Sequence, residues 1–442
     1  MRGMRALIGL ALRQALRGRG LAAACAAVYA CILGLAFAVA AEGPKEANLK
    51  FYVTAAWLLL AGFSVCVVAY LPLRFFGAER AGRQVHLLGT RPVTRAAFIG
   101  ARFCAGVLIA GAVLAAGCAV IGAGASVCAR RLGIEREALA GCAVRPAPPK
   151  PVSAGQVREL AAVLGRDAAF LERHGERGVA AVARESLAVW RLTEGESARI
   201  VWPDVGPREG GLRVRVNARV FPPWEIVEVE FRAGAEVMRR EIQSGVACEL
   251  RLPGDAIGPD GALAVTVALP AERKALVYFP PGDGLALYLP EIGFGENLAR
   301  AGLLFFAFTA AIGGFTVLSS AALSRAVSAL AAAVIVFAAL SANTLSEAAA
   351  QFTGTLGHSH GEAAPEPLPR GVREVWQKAV TGMLAVVPTM RGIDPGAELV
   401  EGRTIGFGAV AAVAVHGTLL RGGGALLLAW LVFRRRELGK RV

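Results

Sequence analysis

No G-x-x-x-x-G-K-[ST] phosphate loop occurs in the 442 residues, so the chain should not hydrolyse ATP by that machinery. No H-E-x-x-H metal site lies in an apolar stretch, which argues against an intramembrane zinc protease. Those stretches also lack paired carboxylates and the runs of ionisable groups that proton-coupled carriers use. Charge is scarce, at 19% of residues, where a soluble globule has about 25%. The eight cysteines form no framework. Cys25, Cys31, Cys66, Cys104 and Cys118 lie in apolar sequence and Cys128 at the end of such a stretch; only Cys142 and Cys248 sit where a disulfide could join them. No long-period repeat is evident.

What is present is apolar length. Six stretches, 21–41, 52–73, 98–128, 299–321, 326–346 and 405–433, are each long enough to cross a bilayer, which takes roughly 20 mostly apolar residues. The expected fold is a membrane all-α six-span bundle with an extracytoplasmic α+β insert between spans three and four, part of it β-sandwich-like. The expected divisions are 1–128, an interfacial helix and spans one to three; 129–298, the insert, mainly helical over 129–195 and β-rich over 197–290; and 299–442, spans four to six with an outer loop at 347–404. Residues 1–40 also resemble a signal peptide ending in Ala38-Val39-Ala40. The apolar run is long for that role and another span follows at once, so an uncleaved first span is expected.

The net charge is +14, and its placement decides its meaning. Arginines cluster in residues 1–20, again between spans two and three, and again after span six at Arg434, Arg435 and Arg436. With six spans these segments share one side, and short basic loops face the cytoplasm. The expectation is a multi-pass protein of the cytoplasmic (inner) membrane with both termini cytoplasmic and the lipid bilayer as its solvent. Nucleic acid is not an expected partner, because no recognition motif accompanies the charge.

Local patterns refine this layout. In residues 1–19, Arg2, Arg5, Arg13 and Arg17 share one arc opposite Leu7, Ile8, Ala11 and Leu12, the periodicity of a helix lying in the membrane interface. Between spans two and three a short helix over 77–88 is expected, then a turn at Gly89, Thr90 and Pro92, then span three from Thr94. In the insert, 212–220 and 226–231 alternate, and 246–252, 262–269 and 275–279 are strand-like. Turn signals such as Pro253-Gly254-Asp255 separate them. An amphipathic helix is expected from Val372 to Val387, ended by Pro388. His358, His360 and Glu362 could hold a metal, although a solvated loop is the favoured reading. Two intramembrane groups, His416 and Arg421, are functional candidates by default. Gly422, Gly423 and Gly424 suggest a break, with a re-entrant or interfacial helix over 405–418 and a crossing part from about 420.

Three segments together carry a family resemblance. They are the amphipathic basic start; Glu79-Arg80 with Gly82, followed by Leu87-Leu88-Gly89-Thr90-Arg91-Pro92-Val93-Thr94-Arg95; and the ending Val432-Phe433-Arg434-Arg435-Arg436-Glu437-Leu438. Val387-Pro388 with Gly392-Ile393-Asp394 adds to them. The chain resembles permease subunits of type-2 ABC exporters. The resemblance implies a non-enzymatic permease subunit of an ATP-driven exporter, paired with a second permease subunit (an identical or related chain) and docked on a separately encoded ABC ATPase subunit. This chain itself would hold no cofactor, ATP being bound by the ATPase. It also implies a coupling helix over 77–88, with Glu79, Arg80, Arg83, Arg91, Arg95, Arg435 and Glu437 at the ATPase interface. The long insert departs from many relatives and suggests an envelope partner or a large substrate. The alternative is a non-transporting envelope scaffold or mechanotransmission protein whose outer β-domain binds a partner.

Overall fold

The computed structural model describes residues 2–17, 19–39, 45–81, 94–134, 139–206, 211–271, 275–280, 282, 284–342, 344 and, apart from 376, 377, 380, 384 and 391, residues 375–438. Its α-helices are α1 (Arg2–Leu16), α2 (Arg19–Ala38), α3 (Lys45–Ala81), α4 (Arg95–Leu132), α5 (Ala154–Leu164), α6 (Ala168–Leu187), α7 (Phe294–Ala322), α8 (Arg325–Leu340), α9 (Pro395–Glu401), α10 (Phe407–Val413) and α11 (Gly423–Leu438). The chain divides into two compact units, one of Met1–Gly141 with Ile292–Val442 and one of Cys142–Glu291.

In the helical unit, five helical stretches are long and apolar enough to cross a membrane: Arg19–Ala38, Lys45–Phe76, Arg95–Leu132, Phe294–Ala322 and Phe407–Arg435. They suggest a membrane protein. The stretch expected at 326–346 is shorter among the described residues. There α8 has 16 residues, about 24 Å at 1.5 Å per residue, against a hydrocarbon core of about 30 Å. It starts straight after α7, across the turn at Leu323 and Ser324. Conversely, α4 runs for 38 residues to Leu132, about one turn past the expected end at 128. Thr94 opens it, its hydroxyl accepting the Ala97 N–H at 3.2 Å. Gly133 closes it in the left-handed region at φ 64°. Arg131 then reaches back to the Phe37 carbonyl at 2.7 Å, a cation on the last carbonyls of α2.

The central helix is α7, which packs against α3, α4, α8, α9, α10 and α11. Small residues make this possible. A Cβ on Gly314 would lie 2.5 Å from the Gly422 carbonyl oxygen, so the two backbones touch directly, the packing that small residues permit between membrane helices. Polar side chains add ties between helices. Tyr29 donates to the Val113 carbonyl at 2.7 Å and Thr418 to the Ala307 carbonyl at 2.7 Å.

The glycines at 422–424 do not break the last long helix. From Phe407 the chain is helical to Leu438, with Ala414–Gly422 wound as a π-helix between α10 and α11. Gly422 serves the close approach to α7 instead, which corrects the re-entrant reading of 405–418. The wider winding is where side chains and backbone of a helix are locally re-aimed. In the expected helix 372–387, the described residues Lys378, Met383 and Val386 are helical, and the run ends at Val387, before Pro388.

The Cys142–Glu291 unit holds three antiparallel-paired sheets around one apolar core. The first has the order β1 (Gly141–Pro146), β11 (Leu285–Ile292), β4 (Leu212–Val216), β8 (Cys248–Leu252). The second is β2 (Trp190–Leu192), β10 (Leu276–Phe279), β5 (Arg219–Phe221). The third is β3 (Ser197–Trp202), β9 (Leu263–Ala268), β6 (Ile226–Ala233), β7 (Glu236–Gln243). Val214, Leu250 and Leu287 from the first, Val220 and Val277 from the second, and Ile200, Val229 and Val265 from the third share the core. This is the inward half of each alternating strand, as a sandwich requires. The helices α5 and α6 pack on each other. A capping box of Ser153 and Gln156 opens α5.

The two strands at the ends of this unit, β1 and β11, are neighbours in one sheet. The chain therefore enters and leaves the unit side by side. Cys142 on β1 and Cys248 on β8 stand three strand positions apart, about 14 Å at 4.8 Å per step, and both are free thiols. That separation excludes a disulfide between them. Acidic and basic residues nearly balance within this unit, so the other unit carries the net positive charge.

Glu230 on β6 is buried, and both of its carboxylate oxygens are taken. Arg232 donates to one and Arg239, at 3.3 Å, to the other. The Arg232 hydrogen bond, ahead of the two guanidinium charges, holds its carboxyl below the usual carboxylate value. A carboxyl depressed on folding stabilises above its unfolded pKa of about 4.3 and loses that contribution as pH falls through its folded value. Acid unfolding of the full chain, followed by tryptophan fluorescence, should therefore be less steep in Glu230→Gln. Superimposable acid profiles for the two proteins would refute this role.

Candidate functional site

The residues that carry the sequence resemblance lie at several places along the chain, and one end of the helical unit gathers most of their neighbourhoods. Phe76 near the end of α3, Phe98 at the start of α4 and Phe433 near the end of α11 share one buried cluster with Val317, Ala321 and Ala429. The Phe98 ring meets Phe76 edge-on at 5.9 Å and stacks on Phe433 at 6.0 Å, geometries that aromatic pairs prefer. Helix α1 lies along α4. The Met4 methyl comes within 3.5 Å of where a Cβ of Gly100 would stand, and Ala11 and Ala15 are fully buried. The amphipathic pattern of residues 1–19 thus has a protein surface under it. A cleft of about 430 Å³, lined by Ala96, Ile99, Gly100, Leu426, Leu427 and Trp430, opens between α4 and α11.

Charge surrounds this apolar knot. Arg95 and Arg435 are exposed beside it, and the Arg434 guanidinium lies 5.8 Å from the Trp430 ring. Glu79 and Arg80 fall in the last turns of α3, which continues span two as one helix to Ala81, so there is no separate helix starting at 77. Glu437 falls in the last turn of α11. Arg83 and Arg91, with the rest of the segment 82–93, lie outside the described residues.

Arg102 was not among the residues expected from sequence, although it stands four residues into the apolar run 98–128, where any charge is a signal. It is buried. Its guanidinium sits 5.3 Å from both the Phe75 and Phe98 rings, a charge held between two aromatic faces. Arg102 therefore binds the end of α3 to the start of α4 on either side of 82–93.

The two expected intramembrane groups have different fates. His416 is exposed on the π-helical turn. Arg421 is partly buried and donates through Nη1 to the Val387 carbonyl and, at 3.3 Å, to Thr389 Oγ1. It anchors the Val387-Pro388 segment to the last long helix. From there Asp394 caps α9, accepting the Gly396 N–H at 2.9 Å, with Pro395 at the first helical position.

At the N-terminal end of α7, Asn297 and Arg300 hold the chain that leads into α10. Asn297 is fully buried, donates to the Arg403 carbonyl at 2.8 Å and accepts the Ile405 N–H at 2.9 Å. Arg300 donates to the Ile405 carbonyl at 3.3 Å and lies 4.3 Å from the Phe407 ring. Arg300 also pairs with Glu296 four residues before it, a spacing the sequence shows, but the contacts of both residues to the 403–405 segment lie more than a hundred residues away and leave no sequence signal.

Among the described residues no group of three or more His, Cys, Asp or Glu could hold a metal ion. His358, His360 and Glu362 lie outside the described residues. What the cluster end offers is an apolar joint between four helices, with exposed arginines at Arg95, Arg434 and Arg435 in the adjoining turns. The chain matches no family model, no curated protein and no solved structure.

Proposed function

We propose that the chain is the membrane permease subunit of an ATP-driven exporter of the type-2 ABC kind, coupled to a separately encoded ATPase. The observation that carries this reading is the Phe76–Phe98–Phe433 cluster. It joins the two helices flanking 82–93 to the C-terminal helix, and α1 packs against the same α4. Those are the segments on which the resemblance rests. A push on the segment between α3 and α4 would pass as a rigid-body movement into α4, α7 and α11, because packed helices shift as units.

In the finer form of this proposal there are six spans, with α8 the core of the fifth. Both termini and 82–93 face the cytoplasm of an inner membrane, following the arginines of the short loops. The Cys142–Glu291 unit lies on the opposite side, where it would meet an envelope partner. A second permease subunit completes the transporter, and this chain performs no catalysis.

The test is copurification in detergent after co-expression with the ATPase encoded beside this chain. A stable complex is expected, and the double variant Glu79→Ala/Arg80→Ala should lose it while remaining monodisperse. A well-folded chain that captures no ATPase would overturn the proposal. A complex that the double variant keeps would remove coupling from Glu79 and Arg80.

A further inference from the structure

The outward face of the third sheet carries a row of residues that neither the core nor the transport reading uses. Arg199 on β3 pairs across to Thr266 on β9, and Thr266 pairs across to Arg232 on β6. Two guanidinium-bearing residues thus flank one hydroxyl, their Cα atoms about 10 Å apart at 4.8 Å per strand. They line a cleft of about 670 Å³ whose floor is made of small residues, among them Gly234, Ala256 and Ala264. Asp260, on the turn after Pro259, lines the same cleft.

The electrostatics of this cleft are uneven. Arg232 spends its Nε on Glu230, whose second oxygen is taken by Arg239, so this buried carboxylate beside the cleft already has both oxygens paired. The terminal nitrogens of Arg232 and the whole guanidinium of Arg199 have no hydrogen bond among the described residues. Guanidinium forks and a hydroxyl together match the oxygens of a phosphate or carboxylate. Asp260 uses one oxygen, Oδ1, on the Ala262 N–H at 3.2 Å, which leaves the other for a cation.

We infer that this cleft is a binding site for a dipolar ligand. Its phosphate or carboxylate lies over Thr266 between Arg199 and Arg232, its ammonium points to Asp260, and a short aliphatic link lies on the glycine and alanine floor. The site belongs to the Cys142–Glu291 unit alone and does not depend on the transporter reading.

The test uses the full chain in dodecyl maltoside, a detergent with neither phosphate nor ammonium, with radiolabelled phosphoethanolamine and inorganic phosphate as separate probes in equilibrium dialysis. Saturable phosphoethanolamine binding is expected, weakened about tenfold or more by Arg199→Gln, which removes one charge-assisted contact. Arg232→Lys keeps the charge beside Glu230 and should weaken it less than Arg199→Gln. Asp260→Asn should weaken phosphoethanolamine and leave inorganic phosphate unchanged. Competition by mixed micelles containing phosphatidylethanolamine assigns the group to a lipid headgroup, and its absence assigns a soluble or polymer-borne ligand; either upholds the site. Absence of saturable binding up to about 10 mM, where the free energy falls below about 3 kcal/mol, overturns it. So does binding that Arg199→Gln leaves unchanged. Equal affinity for both probes, unmoved by Asp260→Asn, overturns the dipolar assignment.

Discussion

Replacing Gly314 by alanine should lower the melting temperature of the helical unit by roughly 5–10 °C, and replacing it by leucine should leave no monodisperse protein in detergent. The added Cβ would stand 2.5 Å from the Gly422 carbonyl oxygen and 2.9 Å from its Cα. Both are backbone atoms, so no side-chain rotation relieves the contact. Overpacking a well-packed core costs about 1–3 kcal/mol when side chains can adjust; here α7 and the π-helical turn must separate instead. The displacement would also move Thr418 away from the Ala307 carbonyl, to which it donates at 2.7 Å. Gly408→Ala is the control, since nothing lies within 4 Å of its Cβ position. If Gly314→Ala and Gly408→Ala melt together with the unmodified chain, the close approach of these backbones is not what holds the last long helix in place.

Asn297→Leu should cost about 1–4 kcal/mol, because it strands the buried Ile405 N–H at about 1–3 kcal/mol and the partly buried Arg403 carbonyl at less. The Arg403 carbonyl loses its donor and the Ile405 N–H loses its acceptor. Leucine is close in volume, so the cost comes from polarity rather than shape. Asn297→Asp should fall between the two, keeping an acceptor for Ile405 and losing the donor to Arg403. A second readout is tryptic cleavage after Arg403, which in the intact chain is tied to Glu398 and Glu401. Freed of Asn297, residues 402–406 should be cut faster. A leucine variant with unchanged melting and unchanged cleavage would show that this pin carries no load.

Both predictions concern contacts that no window of sequence displays. Asn297 sits at the head of an apolar stretch and reads as a polar flank. Gly422, Gly423 and Gly424 read locally as a helix break, since glycine is a poor helix former. Packed against α7, the same lack of side chains becomes what lets the helix continue. Arg421 reads as a charge that snorkels towards water, yet it finds a carbonyl and a hydroxyl on the 387–389 segment instead. In these three cases the local preference was real, and a partner more than thirty residues away outweighed it.

The strands divide in the same way. Leu212–Val216 and Ile226–Ala233 alternate because one side of each faces the core and the other carries arginines and glutamates, and that period is visible in the residues alone. Strand β7 reads Glu-Val-Met-Arg-Arg-Glu-Ile-Gln and has only Ile242 in the core. It is an edge strand held by its ladder with β6, where Gly234 at φ 59° allows the tight turn. Strand β1, Gly-Cys-Ala-Val-Arg-Pro, is too short and mixed to announce itself, and pairing with β11 places it.

Composition and apolar length by themselves determined that this is a chain of long apolar helices with a polar, partly β-structured insert. Those properties are sums over neighbouring residues, and solvent acts on each segment separately. The chain's amphipathic start, the helix onset at Thr94 and the helix end before Pro388 were legible for the same reason. Only the tertiary structure decided which end of the helical unit gathers Phe76, Phe98 and Phe433. The burial of Arg102 between two rings and the row of Arg199, Thr266 and Arg232 across three strands were decided there too. Each of these depends on the register between segments far apart in sequence, and register is set by the packing of the whole unit rather than by the preference of any one residue.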